Sequence, residues 1–474
     1  MSQRLASRTL RNSVLVVGAR ALAKLGVFVV VVLLWRHLGD ERYGRFAAMV
    51  VYVTLVGVVA DLGLQTVFIR DVSRDRELFS RYLGNLLSAR LALAVVALVL
   101  LAAALRLLSP PLFPYTLAAF ALLLTTSYSS LLRGVFYIRG RLTYEAIAIV
   151  IEAALLLALT LLAISRRATW DVFLWVYAVS YLFTCLFAFA ILRWRWKEPV
   201  RFRLEPAFVR GLLVAGLPLA LGFTITTIYA QLDVVLLQLF KSFQMVGWYS
   251  AANKYVDAVA WVPQSAMSAV FPALALLSRG DRKRLAFAYE KSYKMLAIIA
   301  LPLAVGIGIT APSIVHLTRG FEQSIPALQL LAPSIAFLFV NNAFIYALTA
   351  MNRQADFTRL ALVTLIVNVV LNVALIPLYG YLGAAAAATL TELALFAGGW
   401  WLLRRHLHAL PVFGSISRVL LSAAVMGVAV FLIRDWPLLL VVPLAIILYV
   451  AALLLLRALD GEEWAILRGG LLKR

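Results

Sequence analysis

Cysteine is almost absent: the chain has 474 residues and one cysteine, Cys185. That excludes an intrachain disulfide framework and argues against a thiolate metal site, and Cys185, inside an aromatic-rich apolar run, reads as inert packing. Histidine is scarce too. His37, His316, His406 and His408 sit scattered at the ends of apolar runs, and none shows the i, i+4 pairing of a helical zinc site. Acidic residues number 22 against 44 basic ones. The glycine-rich phosphate loop G-x-x-x-x-G-K-S/T does not occur, so nothing supports an ATP-driven pump in one chain. No metal, no cofactor and no catalytic constellation is indicated. A soluble basic module, which nucleic-acid binding would need, is also missing.

What fills the chain instead is apolar: 64% hydrophobic residues, only 14% charged ones, and a mean hydropathy of +0.94. Stretches such as 27–34, 91–105 and 438–456 are continuous rather than alternating, which favours spanning helices over the strands of a barrel. Fourteen spans are expected, the second over roughly 46–69 and the fourth ending near 136. Arg4, Arg8 and Arg11 lead into a first span with no small-residue cleavage site, which resembles a retained helix more than a signal peptide. Pro218, Pro263, Pro272 and Pro302 fall within spans as expected kinks.

Two repeats divide the chain. Tyr43-Gly44-Arg45-Phe46 after the first span returns as Val246-Gly247-Trp248-Tyr249 after the seventh, and Tyr137-Ile138-Arg139-Gly140-Arg141 after the fourth is echoed by Ala350-Met351-Asn352-Arg353-Gln354 after the tenth. Duplicated membrane halves are a common way to build a transporter cavity. The expected architecture is an all-α polytopic membrane protein: a six-helix lobe over 1–195, a linker over 196–210, a second six-helix lobe over 211–405 around a central cavity, and two further helices with a tail over 406–474.

The basic residues orient it. On the side of the N-terminus fall 31 of the 44, on the other side 9, and 4 lie within spans: Arg20, Lys24, Arg90 and Lys254. Positive loops resist translocation, so both termini are expected in the cytoplasm of an inner-membrane protein. Clusters such as 193–210 and 279–294 face anionic lipid headgroups. Arg133 is counted here with the loop after the fourth span. The loops on the far side, 36–45, 106–111 and 165–171 among them, are too short for an external catalytic domain, which counts against a membrane glycan polymerase or transferase.

Charges within a span cost roughly 2.5–3.5 kcal/mol each and usually face a cavity. Arg20 and Lys24, at i and i+4, stack on one helical face, and two adjacent cations repel unless an anion visits. A phosphate or pyrophosphate is such an anion; pairing with Asp61, Glu145 or Glu152 is the alternative. Lys254 offers a second anion contact, or else neutralises Asp257 three residues on, with Asp233 in the outer part of the preceding span. Arg90 is assigned to the interface, where it can snorkel. Glu392 has no cation nearby in sequence and either takes up protons or pairs across helices. Asn368 and Asn372 share a helix face, for interhelical bonding or sugar recognition.

Three motifs carry a resemblance: Asp61-Leu62-Gly63-Leu64; Val246-Gly247-Trp248-Tyr249-Ser250-Ala251-Ala252; and Asn368 through Leu371-Asn372 to Leu375-Ile376-Pro377-Leu378-Tyr379-Gly380-Tyr381-Leu382-Gly383-Ala384-Ala385. Over about 10–405 the chain resembles the polysaccharide-transporter branch of the multidrug/oligosaccharidyl-lipid/polysaccharide exporter superfamily. The resemblance implies a non-enzymatic flippase for undecaprenyl-pyrophosphate-linked oligosaccharide, moving it to the external leaflet by alternating access. It implies membrane lipids and polysaccharide assembly proteins as partners and a monomeric carrier. Arg20, Lys24 and Lys254 would be substrate contacts, and Asp61, Asp233, Asp257, Glu152, Glu392, Asn368 and Asn372 ion-coupling or polar cavity residues. A lipid II flippase, expected to show more cavity arginines, and a cation-coupled multidrug extruder, expected to show acidic ones, are the alternatives within the fold.

Overall fold

The computed structural model describes residues 2–198, 200–278, 282–407 and 412–459. His408, Pro199, Arg279 and Arg474 lie outside the described residues, as do the side chains of Arg4, Arg8, Arg11 and Pro218. Fourteen α-helices and no strand occur among the described residues: α1 (Ser2–Asp61), α2 (Leu64–Arg74), α3 (Phe79–Leu108), α4 (Thr116–Ile138), α5 (Leu142–Ser165), α6 (Val172–Ala190), α7 (Pro206–Phe240), α8 (Phe243–Leu277), α9 (Arg282–Thr318), α10 (Ser324–Ala350), α11 (Gln354–Tyr379), α12 (Tyr381–Leu407), α13 (Val412–Leu432) and α14 (Leu438–Leu455). Twelve are long and apolar enough to cross a membrane. The first of these, Val16–Asp61, runs 46 residues, about 69 Å at 1.5 Å per residue, or twice a hydrocarbon core of about 30 Å. It is two spans in one, broken at Gly39, whose φ of 72° and ψ of 177° suit glycine alone.

The second span ends earlier than the sequence suggests. Leu62 (φ 43°) and Gly63 (φ 75°) break the helix, and the chain restarts as the short α2. A Cβ on Gly63 would lie 2.5 Å from the Gly216 carbonyl oxygen of α7, and one on Gly216 would lie 2.7 Å from the Leu62 carbonyl oxygen. The two glycines let backbone pack directly on backbone.

The chain divides into two compact units, Met1–Gly247 and Trp248–Arg474. In the first, α1 packs on α3, α5 and α7, and α4 packs on α6 and α2. The segment after α6 is strapped to this unit. Trp196 stands edge-on to Tyr144 at 5.8 Å, Arg139 pairs with Glu198, the Arg203 amide donates to the Gly84 carbonyl at 3.2 Å, and Arg81 holds Glu205 at 2.5 Å. In the second unit α10 packs on α9 and α12, α11 on α12, and the last pair, α13 and α14, lies against α9.

Both sequence repeats have a physical basis. The helix ends at Gly140 (φ 63°) and Asn352 (φ 58°) close alike. Arg141 donates its amide to Phe136 O at 3.0 Å and Arg353 donates to Leu348 O at 2.8 Å, each a left-handed cap that satisfies the last helical carbonyls. Gly44 and Gly247 meet within the first unit: a Cβ on Gly44 would lie 2.9 Å from the Gly247 amide nitrogen. Gln244 donates to Asp40 Oδ2 at 2.8 Å beside them.

Candidate functional site

Five helices of the first unit line a polar cavity of about 390 Å³. On α4, Thr126, Ser130, Arg133 and Tyr137 recur at three- and four-residue spacing and so project from one face. Facing them are Arg20 of α1, Glu145 of α5 and Tyr181 of α6, and α2 supplies Gln65 because the break at Leu62-Gly63 turns the chain there. Gln65 donates to Ser130 O at 2.9 Å and accepts from the Ser130 hydroxyl.

The charges of this cavity balance. Arg133 pairs with Glu152, which also accepts from the Thr184 hydroxyl. Arg20 donates to the Tyr137 hydroxyl and lies 4.0 Å from Glu145, toward which the same hydroxyl donates at 3.4 Å. Two cations and two carboxylates thus offset one another. Satisfaction is incomplete, however: Arg133 Nε and Glu145 Oε2 are buried without a hydrogen-bond partner. A buried donor or acceptor left unpaired costs about 1–3 kcal/mol, so such a cavity favours a ligand with hydrogen bonds to give and accept.

The residues singled out from sequence distribute unevenly around this cavity. Arg20 lines it and meets Glu145, one of the three carboxylates considered for it. Lys24, one turn on, is exposed and not among the lining residues. Glu152 stands behind Arg133. Asp61 is elsewhere, paired with Arg90, which also donates to the Ser127 carbonyl and hydroxyl. Arg90 is therefore not at the interface: its side chain is 0% exposed, because a carboxylate and two oxygens are close enough to satisfy it without snorkelling. Arg133 is not in the loop after the fourth span either. The helix continues to Ile138 and carries it inward. Asp233 is buried in α7.

In the second unit Lys254 and Asp257 pair at 2.8 Å on an exposed face of α8. Glu392 accepts from Asn341 Nδ2 at 2.6 Å, joining α12 to α10; Asn368 donates to Thr391 at 3.2 Å, joining α11 to α12; and Asn372 donates to Asn368 O at 2.9 Å. These are interhelical and intrahelical bonds of a buried polar ladder.

Sequence reasoning missed Arg133 and Tyr137 as cavity residues and named Glu145 only as one possible partner of Arg20. The signal was present in the polar register 126, 130 and 133 within the expected span, which 137 continues on the same face.

Among the described residues the chain is helical without strands, and its helices include twelve long and apolar enough to cross a membrane. It is similar in fold to lipid II flippase MurJ in an inward closed conformation, at a TM-score of 0.75 and 14% identity over 94% of this chain and 98% of that one. It is likewise similar to a multidrug resistance MATE family transporter in an inward-facing conformation, with a TM-score of 0.66 and 15% identity over 82% of this chain and 99% of that one. The chain belongs to the polysaccharide biosynthesis protein family, whose pattern matches residues 9–278. It is 25% identical over 233 residues to the probable flippase AglR of Haloferax volcanii, a match covering 47% of this chain and 48% of the relative. The chain thus spans about half the length of the curated relatives it matches.

Proposed function

We propose that the protein is a flippase that carries undecaprenyl-pyrophosphate-linked oligosaccharide from the cytoplasmic to the external leaflet for polysaccharide biosynthesis. It works by alternating access and performs no covalent chemistry. The observation that carries this reading is the position of Arg20: an arginine within a membrane span, 56% exposed, at the rim of a charge-balanced cavity with unpaired buried polar atoms. Arg20 and Lys24 then grip the diphosphate headgroup, and the glycan meets polar side chains such as Gln65 and Ser130. Membership of the polysaccharide biosynthesis protein family and a relative named as a probable flippase support the substrate class. The termini face the cytoplasm of an inner-membrane protein that works as a monomer.

Depletion in cells tests this. Lipid-linked oligosaccharide should accumulate in the inner leaflet, inaccessible to an external glycan-modifying enzyme, while its synthesis continues. Loss of the synthetic step itself would mean that the protein is an enzyme.

A further inference from the structure

Glu145 is the one cavity carboxylate with no full partner. It is 1% exposed. Its Oε1 faces the Tyr137 hydroxyl at 3.4 Å and the Arg20 guanidinium at 4.0 Å, while its Oε2 has no hydrogen bond at all. Glu152, by contrast, has both Arg133 and Thr184 close by. The groups that face Glu145 are Arg20 from α1, Arg133 and Tyr137 from α4, Glu152 one helical face along its own α5, and Tyr181 from α6. Of these cations Arg133 is already engaged. Arg133 acts on Glu145 as well but is bound to Glu152; Arg20 is the cation facing Glu145 that holds no other carboxylate of the cavity, and it is also the one that faces outward.

One guanidinium cannot serve two anions equally. When a diphosphate draws Arg20 away, Glu145 is left buried, charged and beside a second carboxylate, a state that is strongly disfavoured unless the charge is removed. We propose that Glu145 is a proton-binding site linked to the anion site. The carboxylate takes one proton from water as Arg20 leaves it for a diphosphate headgroup, and returns that proton when the headgroup departs. The Tyr137 hydroxyl, which accepts from Arg20 and donates toward Glu145, bridges the two groups and is placed to reorient as they separate. Anion binding and proton binding then reinforce each other, by the same factor in either direction. The empty carrier stays neutral at this site because Glu145 substitutes for the absent phosphate. This inference rests on the headgroup role given to Arg20 above.

Farnesyl diphosphate binding to the full chain in nanodiscs tests it, with affinity measured from pH 5.5 to 8 for wild type, Glu145→Gln and Arg20→Ala. Comparison at each pH cancels the titration of the ligand. Glu145→Gln, which frees Arg20 permanently, should match wild type at acid pH and bind progressively tighter than wild type above the Glu145 titration, by up to about tenfold per pH unit. The advantage of wild type over Arg20→Ala should shrink over the same range, and this second comparison stands alone if Glu145→Gln does not fold. Flat ratios for both pairs overturn the proton linkage while leaving the headgroup site intact. Equal binding by Arg20→Ala and wild type at every pH overturns the headgroup reading itself.

Discussion

Breaking the Asp61–Arg90 pair from its two sides should give unequal losses, because the partners differ in their access to water. Arg90 is 0% exposed and Asp61 37%. Removing one partner of a buried pair costs about 3–5 kcal/mol. In Asp61→Ala the guanidinium stays in the interior with only Ser127 to accept from it, and Arg90 Nε already lacks a partner, so the loss belongs near the top of that range. In Arg90→Met the volume is kept, and the abandoned carboxylate can turn to solvent, which reduces the loss to about 1–3 kcal/mol. The difference, roughly 2 kcal/mol, is about thirtyfold in the folding equilibrium. The double variant Asp61→Ala with Arg90→Met should regain most of what Asp61→Ala loses. Unfolding by SDS titration in mixed micelles, followed by tryptophan fluorescence, measures all three. Equal losses in the two single variants, or a larger loss in Arg90→Met, would refute the reasoning. The function should follow: Asp61 anchors the break that turns α2 and Gln65 toward the cavity, so glycan export should fall further in Asp61→Ala than in Arg90→Met.

Arg20→Ala and Lys24→Ala should each reduce flipping at normal abundance by about 10- to 150-fold, since a charge-assisted contact is worth about 1.5–3 kcal/mol; wild-type export by the double variant would remove both from the headgroup site. Lys254 and Asp257 are 40% and 49% exposed, so their pair contributes no more than about 1 kcal/mol. Lys254→Gln should leave thermal stability in detergent unchanged, and any loss of export then marks a substrate contact. A cysteine at Lys283 should resist membrane-impermeant thiol reagents applied from outside, and its labelling would invert the topology. The hydrogen bond from Arg81 holds the Glu205 carboxyl below the ordinary carboxylate range. A carboxyl lowered on folding stabilises above its unfolded value and loses that contribution only as pH falls through its folded value. The strap around Glu205 should therefore resist proteolysis from pH 8 down to 5 and loosen only once the pH falls below the ordinary carboxylate range; loosening already at pH 6 would contradict the assignment.

The helices were legible because continuous apolar runs and the repeated turn motifs are local signals, and local signals survive without coordinates. Gly140 and Asn352 could be matched as equivalent because both motifs need one residue at positive φ to end a helix. Partnership inside the membrane was less legible, since it depends on which helices touch. Arg90 was placed at the interface on its distance from the span end alone, whereas Asp61, 29 residues away in sequence, keeps it inside. Arg133 was counted with the loop although a span ending near 136 already contains it, and the helix in fact runs on to Ile138. The cavity is thus written in the sequence as a register on α4, and its meaning as a charge-balanced site comes only from α1 and α5 packing together. That packing brings Arg20 to Glu145 across 125 residues of chain. A pair of stacked cations that looked from sequence like a free anion trap is in fact half occupied by a carboxylate of the protein itself. On the proton linkage proposed above, an anion that binds Arg20 draws it away from Glu145.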